Sequence, residues 1–352
     1  MKCRICECKT LELLETESMM FPGRSYDPEF HVYDNFICPG CGVVSIQPEP
    51  SDEQLEKHYN STYRSTKLAM ELGKNNIDSP IDFDVSGRSF SRFQNFYSIF
   101  ERNLKLFPEM SLKKSDFVID YGSYQGMFLS ALNQIWPCEA VAYDYNKNGI
   151  FFAKSFLGLK GSVVAKNIYE DTFSKKAKLI SMVHSFEHLR DPKKFLIHVK
   201  SNVLKNSGFL YLEIPNLYGI PLCEPTHFFS YSTQSLEFVL NISGFKVIDI
   251  ETSGHPIVDG FVANNNIQNI ICLAQSASII ESESGLQRVE VSKIRRHLKQ
   301  NYLKHSRGAL SKQFSIVKRE FLRFLYYFLF VGIIESQSLS FSAWLLKKIG
   351  RR

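Results

Sequence analysis

The segment Phe117-Val-Ile-Asp-Tyr-Gly-Ser-Tyr-Gln-Gly126-Met-Phe-Leu129 decides the fold. An apolar run that stops at a glycine predicts a buried strand, and the apolar residues after Gly126 predict a helix. Gly122 and Gly126 let the backbone approach a ligand because they carry no Cβ. The free N–H groups at the start of the helix suit a carboxylate or a phosphate. This strand, glycine turn and helix predict a nucleotide-binding core. The same arrangement occurs in many α/β proteins, so by itself it does not identify the ligand.

Further apolar runs follow this segment, and helical patterns separate most of them. Such alternation predicts an α/β domain in which helices cover both faces of a mostly parallel sheet. A helix is also predicted from Ser89 to Leu106, where phenylalanines recur at helical spacing. The predicted strands are DFVIDYG, EAVAYD, SVVAKN, KLISMVHS, GFLYLEIPN, FKVIDIET and NIQNIICLA.

Asp144 ends the second predicted strand, about 20 residues beyond the glycine turn. An acid at this position accepts hydrogen bonds from the hydroxyls of a ribose. The alternative is that Asp144 caps the helix predicted for NKNGIFFAK.

Two CxxC pairs, Cys3/Cys6 and Cys38/Cys41, predict a structural zinc ribbon at the N-terminus. Four thiolates complete a tetrahedral site and leave no open position, which excludes a catalytic zinc. A redox CxxC needs only one pair and a thioredoxin-like context. Cys8 lies next to the first pair and is interpreted as a spare thiol.

Beyond the glycine turn, the series of motifs resembles the class I S-adenosylmethionine (SAM)-dependent methyltransferases. The matching pieces are the D-x-G-x-x-x-G turn, the acid after the second strand, Glu187-His-Leu-Arg-Asp-Pro192, Ile214-Pro-Asn216 and His227-Phe-Phe-Ser-Tyr. The resemblance implies a SAM cofactor, with Asn167 and Ile168 near its adenine. The implied cofactor-binding residues are Asp120, Gly122, Gly126, Asp144, Asn167 and Ile168.

The N-terminal segment extends the resemblance. Cys38-Pro-Gly-Cys-Gly-Val-Val and Pro48-Glu-Pro-Ser-Asp-Glu-Gln-Leu are similar to the ribbon fused to bacterial sugar and surface-glycan methyltransferases. The implied activity is methyl transfer to a nucleotide-activated sugar or a surface polysaccharide. In the similar deoxysugar C-methyltransferases, Glu precedes the histidine where this chain has Thr226, so their base is not carried over.

Tyr124 is a second departure, because the family has glycine at the middle of the turn. A tyrosine there either crowds the cofactor or points outward. An alternative hypothesis follows from it, namely a degenerate methyltransferase that acts as a binding module.

Methyl transfer to a hydroxyl needs a group that accepts its proton, and histidine suits this role. We predict His227 and His188 as the first candidates for this proton acceptor, and Glu187 and Glu224 as the next. Tyr231 is predicted to orient hydroxyls. The HxxEH spacing of His184 and His188 also occurs in zinc proteases. A β-like run before it and a proline soon after it argue against the required helix.

The C-terminal region is basic: from Leu286 onward there are 15 Lys/Arg and 3 Asp/Glu, whereas the remainder has 27 and 33. It also contains an apolar-aromatic run, too short to span a bilayer. A helical hairpin packed on the protein, contact with an anionic membrane surface, and nucleic-acid binding are the alternatives. RNA methylation is the alternative function, although nucleic acid is disfavoured because the body is not basic.

We therefore predict an α/β, Rossmann-like methyltransferase sheet with an N-terminal zinc ribbon and a C-terminal helical extension. The polar start of the chain predicts a cytoplasmic protein, with the extension peripheral at the inner face of the membrane. The predicted boundaries are residues 1–50 for the ribbon, 51–112 for a helical linker region, 113–275 for the methyltransferase domain and 276–352 for the extension.

Overall fold

A computed structural model describes residues 1–14, 34–55, 88–219, 226–254, 267–277 and 291–297, which all lie in one compact unit, Met1–Lys299. Glu224, much of the predicted linker region and most of the predicted extension fall outside the described residues. Within the described residues, no helix is long and apolar enough to cross a membrane.

The described strands and helices alternate along the central part of the chain. The strands are β1 (Glu12–Leu14), β2 (Asp34–Ile37), β3 (Val44–Gln47), β4 (Phe117–Tyr121), β5 (Glu139–Asp144), β6 (Val163–Val164), β7 (Ala177–Val183), β8 (Leu204–Pro215), β9 (Phe229–Ser230), β10 (Phe245–Ser253) and β11 (Asn269–Ser276). The helices are α1 (Arg88–Leu104), α2 (Met127–Ile135), α3 (Lys147–Phe156), α4 (Pro192–His198) and α5 (Thr233–Ile242).

Seven strands form the main sheet in the order β10-β11-β8-β7-β4-β5-β6. Strand β11 is antiparallel to both of its neighbours, and the other pairs are parallel. The α/β prediction is confirmed, and every predicted strand of this domain is present. The structure shortens the third to two residues and starts the fifth at Leu204, before the predicted Gly208.

Apolar side chains cover the two faces of this sheet in separate layers. On one face, Phe96 and Phe100 of α1 pack with Phe128 of α2 and Tyr211 of β8. Helix α1, predicted within the linker region, is therefore part of the sheet's covering layer. On the other face, α4 and α5 pack together with the cysteines of the N-terminal segment.

A second, four-stranded sheet has the order β1-β2-β3-β9. Its first three strands come from the N-terminal segment, whereas β9 comes from the loop after β8. Val44 pairs with Ser230 and Ser45 with Phe229, in antiparallel register. Residues 291–297 are helical and bury Ile294 against Leu14, Ile37 and Val44 of this sheet. Segments distant in sequence thus complete the ribbon, which we define as residues 1–50.

Candidate active site

The turn after β4 has a left-handed backbone at three alternate residues: φ is +74° at Gly122, +50° at Tyr124 and +76° at Gly126. A Cβ on Gly122 would lie 2.4 Å from Ser185 Cβ, and one on Gly126 would lie 2.7 Å from Leu159 Cδ1. Both positions therefore require glycine. At Tyr124 the same conformation costs about 1–3 kcal/mol, because its Cβ crowds the backbone.

The carboxylate of Asp144 fixes this turn. The backbone N–H of Tyr124 donates to Oδ2 at 2.7 Å, and that of Asn146 donates to Oδ1 at 2.7 Å. Burial raises the pKa of Asp144. Helix α3 is capped by Asn146, whose Oδ1 accepts from Gly149 N–H at 2.8 Å. The capping alternative for Asp144 is therefore wrong, and each of its oxygens keeps a lone pair for a ligand hydroxyl.

Asp120 lies beneath the turn and is 2% exposed. Burial raises its pKa to about 7, the nearby Asp144 adds to this rise, and a hydrogen bond from Ser181 Oγ at 2.7 Å and the charge of Arg92 oppose it. Ser181 of the neighbouring strand β7 thus holds the Asp120 carboxyl within the core.

Asn167 and Ile168 follow β6 at the same edge of the sheet as Asp144. The backbone N–H of Asn167 donates to Asp171 Oδ2 at 3.0 Å, which fixes the loop. Ile168 is nearly buried, and its N–H donates to Tyr145 Oη at 3.4 Å. An apolar side chain beside an aromatic ring suits one edge of a flat base.

The described residues fit SAM at this edge. Asp144 offers acceptors for a ribose, and the glycines remove Cβ atoms from the turn. The turn also contains two buried polar atoms, Ser123 Oγ and Gln125 Nε2, that have no hydrogen-bond partner among the described residues. Buried polar atoms without partners are costly, so a polar ligand here would satisfy them.

The turn after β7 brings Glu187, His188 and His227 together, and we call these three residues the histidine cluster. Glu187 Oε1 lies 3.9 Å from His188 Nε2 and 3.9 Å from His227 Nε2. Burial raises the pKa of Glu187, which is 2% exposed, to about 8. The two imidazoles meet edge to face with centroids 4.8 Å apart. The predicted residues His188 and His227 thus share one acid.

His188 does not belong to a protease-like helix. It ends a short 3-10 turn, Phe186–His188, whereas His184 lies at the end of β7 with φ +53°. His188 Nδ1 lies 2.8 Å from the carbonyl oxygen of Thr226. A carbonyl can only accept, so Nδ1 carries the proton and Nε2 faces Glu187 with a lone pair when the ring is neutral.

Tyr231 is completely buried, and its ring packs 5.5 Å from that of Phe186. Burial raises its pKa well above the usual value, and Glu187 raises it further. Its hydroxyl has no hydrogen-bond partner among the described residues. Tyr231 therefore lies within the core beside Glu187, and Glu224 lies outside the described residues.

The sequence reasoning missed a buried polar network around Glu213 of β8. Its carboxylate accepts from Tyr211 Oη at 3.1 Å and from the side-chain amides of Asn95 and Asn269 at 3.4 Å each. His184 Nε2 lies 3.4 Å from Glu213 Oε1. An acid inside the apolar strand GFLYLEIPN was the available signal, because a buried charge needs partners.

The four predicted zinc ligands converge: the Sγ atoms of Cys3, Cys6, Cys38 and Cys41 lie within 4.8 Å of one another. Cys3 and Cys41 are 3.8 Å apart, and Cys6 and Cys38 are 3.4 Å apart. Four sulfurs bound about 2.3 Å from one zinc ion would be about 3.8 Å apart, so the set fits this ion. Cys8 lies outside the set and contacts Thr10.

Arg190 joins the ribbon to the turn that carries the histidine cluster. It pairs with Glu49 at 3.0 Å, donates to the carbonyl of Pro50 at 2.6 Å and lies over the ring of Phe228 at 4.8 Å. Phe228 follows His227 directly, and its carbonyl accepts from Ile46 N–H at 3.3 Å. The ribbon therefore holds both segments that supply the two histidines.

Residues 92–250 match the model of a family described as a methyltransferase domain. The match runs from α1 to β10 and includes both the glycine turn and the histidine cluster. No curated protein matches the chain by sequence. The sheet, the turn and the family match together define the class of this part of the chain: residues 92–250 form a SAM-dependent methyltransferase domain with a Rossmann-like core.

Solved structures with a similar fold are distant in sequence. A SAM-dependent methyltransferase from Aquifex aeolicus is 19% identical, with 60% of this chain and 99% of that chain covered and a TM-score of 0.39. One from Clostridium acetobutylicum is 16% identical, with 60% and 98% covered and a TM-score of 0.42. One from Archaeoglobus fulgidus is 19% identical, with 50% and 92% covered and a TM-score of 0.38.

Proposed function

We propose that the protein transfers the methyl group of SAM to a hydroxyl of a sugar or glycan, either a nucleotide-activated sugar or a surface polysaccharide. The observation that carries this proposal is the position of the histidine cluster beside the glycine turn. Ser185 packs on Gly122 and donates to the carbonyl of Tyr121 at 2.7 Å. Glu187 and His188 follow two and three residues later, so the acceptor's activating groups adjoin the cofactor site.

The cofactor supplies an electrophilic methyl group. Asp144 would bind the ribose hydroxyls, the backbone around Gly122 and Gly126 would admit the methionine part, and Asn167 and Ile168 would flank the adenine. The acceptor oxygen forms a bond to the methyl carbon, and the electron pair of the broken bond stays on sulfur. The histidine cluster activates the acceptor, and His227 is the residue that the sequence predicts as the base for its proton.

Two features support a sugar or glycan acceptor. Imidazole and carboxylate groups suit hydroxyls, which need both orientation and deprotonation. The ribbon resembles that of sugar methyltransferases, and we propose that its four cysteines hold a structural zinc ion. An RNA acceptor has less support, because Asp and Glu outnumber Lys and Arg by 33 to 27 before Leu286.

His227→Ala tests the function. We expect turnover, measured as release of S-adenosylhomocysteine with a panel of nucleotide sugars, to fall by roughly 10²- to 10⁴-fold. SAM affinity by calorimetry should stay nearly unchanged, because the cofactor residues lie elsewhere.

His198→Ala is the matched control. The Nε2–H of this histidine donates to the carbonyl of Asp171 at 2.9 Å, and its Nδ1 accepts from the side-chain amide of Asn202 at 3.1 Å. Its replacement should lower the melting temperature and leave turnover per folded molecule unchanged. A folded His227→Ala protein with parental turnover would remove His227 from the site.

A further inference from the structure

Three ligand atoms of the histidine cluster face one point. Glu187, His188 and His227 each offer one ligand atom, and these three atoms all lie within 4.8 Å of one another. The two nitrogens are 3.9 Å from the carboxylate oxygen, which is too far for hydrogen bonds. Ligands about 2.0–2.2 Å from one ion are roughly 3.0–3.5 Å apart, so an inward shift of a few tenths of an ångström would close the set.

The orientation of His188 is that of a metal ligand. Its Nδ1–H donates to the carbonyl of Thr226 at 2.8 Å, which directs the lone pair of Nε2 toward Glu187. Metal-binding histidines are held in this way by a carbonyl or carboxylate on the other nitrogen.

The charge balance of the site favours a cation. Glu187 is 2% exposed, and neither of its carboxylate oxygens has a hydrogen-bond partner among the described residues. A second fully buried acid, Glu213, is linked to Glu187 through His184. His184 Nε2 lies 3.4 Å from Glu213, and His184 Nδ1 lies 3.7 Å from Glu187. Arg92 adds positive charge to this region, and its charge lowers the pKa of Glu187 against the effect of burial.

We propose that Glu187, His188 and His227 bind a divalent transition-metal ion, such as Mn²⁺, Fe²⁺ or Zn²⁺. Two imidazoles and one carboxylate on one side of an ion leave open positions on the other, unlike the four thiolates of the ribbon. Adjacent open positions suit two neighbouring hydroxyl oxygens of a sugar. The acceptor is therefore a vicinal diol that chelates the ion, and one of its oxygens is methylated.

This inference rests on the proposed function and deepens it. The ion favours loss of the hydroxyl proton to water, as metal ions do for a bound water. His227 then acts on the acceptor through the ion, as a ligand. Methyl transfer itself is unchanged, and the ribbon keeps its separate role.

The test counts metal on the full-length protein. Elemental analysis is done as purified and again after saturation with Mn²⁺ and gel filtration. We expect the parent to hold one more divalent ion per chain than the double variant His188→Ala/His227→Ala, either as purified or after saturation with Mn²⁺. The His198→Ala control should match the parent, because its ring lies on α4 outside the cluster.

A Mn²⁺ titration followed by electron paramagnetic resonance then measures affinity. Losing even an outer partner of a ligand costs about 10–100-fold, so Glu187→Gln should weaken binding by roughly 100-fold or more. If Zn²⁺ already fills the site in the purified protein, the parent and Glu187→Gln are compared by how well the extra ion resists removal by a chelator.

Equal metal content in the parent and in both cluster variants would overturn the proposal. If His227→Ala still abolished turnover, the proposed function would stand with His227 as a base. Metal binding without methyl transfer to any hydroxyl acceptor would instead keep the site and remove the proposed function.

Discussion

At the scale of single residues, Tyr124 shows how the turn tolerates a departure from its glycine pattern. The backbone at this position is left-handed, as it would be for glycine, because Asp144 holds the Tyr124 N–H at 2.7 Å. The Tyr124 backbone and ring lie against Gly149 at the start of α3, where a Cβ on that glycine would meet them. The substitution therefore changes the side chain that lines the turn and leaves its path intact.

The same carboxylate gives a prediction about the cofactor. Asp144→Asn should weaken SAM binding roughly tenfold or more, since a hydrogen bond to a charged group contributes about 1.5–3 kcal/mol. Calorimetry with the purified protein measures this directly.

Asn146→Ala is its control, because it removes the cap of α3 and leaves the acid in place. The control should lose about 0.5–2 kcal/mol of stability and keep its SAM affinity. Equal affinity in Asp144→Asn and the parent would contradict the ribose assignment.

Asp120 predicts a dependence of stability on pH. Its folded pKa of about 7 exceeds its unfolded value of 3.8 because it is buried. The folded state then holds the proton more tightly, so the parent loses stability as pH rises from about 4 to 7. Asp120→Asn should remove this loss, and its advantage over the parent should disappear at the acid end. Urea unfolding across this pH range, without SAM, checks the prediction.

Asp116 should respond with the opposite sign. Burial favours its neutral form, but hydrogen bonds from Lys178 at 3.0 Å, from the Lys113 backbone and from Lys205 hold its pKa below the usual value. Asp116→Asn should therefore be less stable than the parent at neutral pH, by about 1.5–3 kcal/mol. The difference should shrink as pH falls and the carboxylate protonates. If the stability of Asp120→Asn and the stability of Asp116→Asn changed with pH in parallel, both assignments would be contradicted.

At the scale of elements, the ribbon and the loop after β8 that carries His227 share one sheet. The sequence predicts the CxxC pairs and the His227-Phe-Phe-Ser-Tyr motif separately, but it does not predict that β3 and β9 pair. A two-residue strand such as β9 has no periodicity to detect, and its partner is chosen by tertiary packing. Arg190 and Glu49 then tie the ribbon to the turn before α4. The ribbon is thus part of the site's framework.

If the four cysteines of the ribbon hold zinc as proposed, its loss should therefore reduce methyl transfer. Cys38→Ser removes one of four thiolates, and we expect zinc content to fall from about one ion per chain at this site. Turnover should fall more than SAM affinity, because β9 adjoins His227, whereas the predicted cofactor residues lie at or after the ends of β4, β5 and β6.

Cys8→Ser is the matched control, since Cys8 lies beside the cluster without belonging to it. It should keep both metal and turnover. Turnover that survives in a metal-free Cys38→Ser protein would show that the ribbon does not hold the loop.

At the scale of the whole molecule, the sequence predicts the sheet well because each strand is a buried apolar run between turn signals. The glycine turn and the acid after it are also predictable, since Gly122, Gly126 and Asp144 belong to one local strand-turn-helix-strand pattern; their cofactor role stays a prediction. The histidine cluster was only partly predictable. His188 and His227 were named individually, but their common contact with Glu187 depends on where the loop after β8 returns. The Glu213 network joins β8, β11, the turn after β7 and α1, so no local pattern reveals it.

Charge is divided unevenly along the chain. Residues 300–352 contain 10 Lys/Arg and 2 Asp/Glu, and they follow the compact unit Met1–Lys299. The described turn of helix at 291–297 packs on the ribbon through Ile294, and His297 lies 2.9 Å from the carbonyl of Tyr218. A truncation meant to test the basic segment should therefore leave this helix in place.

If the basic segment contacts an anionic membrane surface, deletion of residues 300–352 should release the protein from anionic vesicles and leave its fold intact. Attraction of about 1 kcal/mol per basic residue near such a surface makes the effect large, and salt should weaken it. Flotation with phosphatidylserine vesicles at low and high salt measures binding, and the melting temperature with and without SAM measures the fold.

A full-length variant with Lys347, Lys348, Arg351 and Arg352 changed to Gln separates charge from chain length, and it should lose part of the binding. Binding that survives both changes would exclude the basic segment as a membrane contact. A truncated protein that unfolds would instead favour the packed-hairpin alternative, in which these residues cover apolar surface of the same chain.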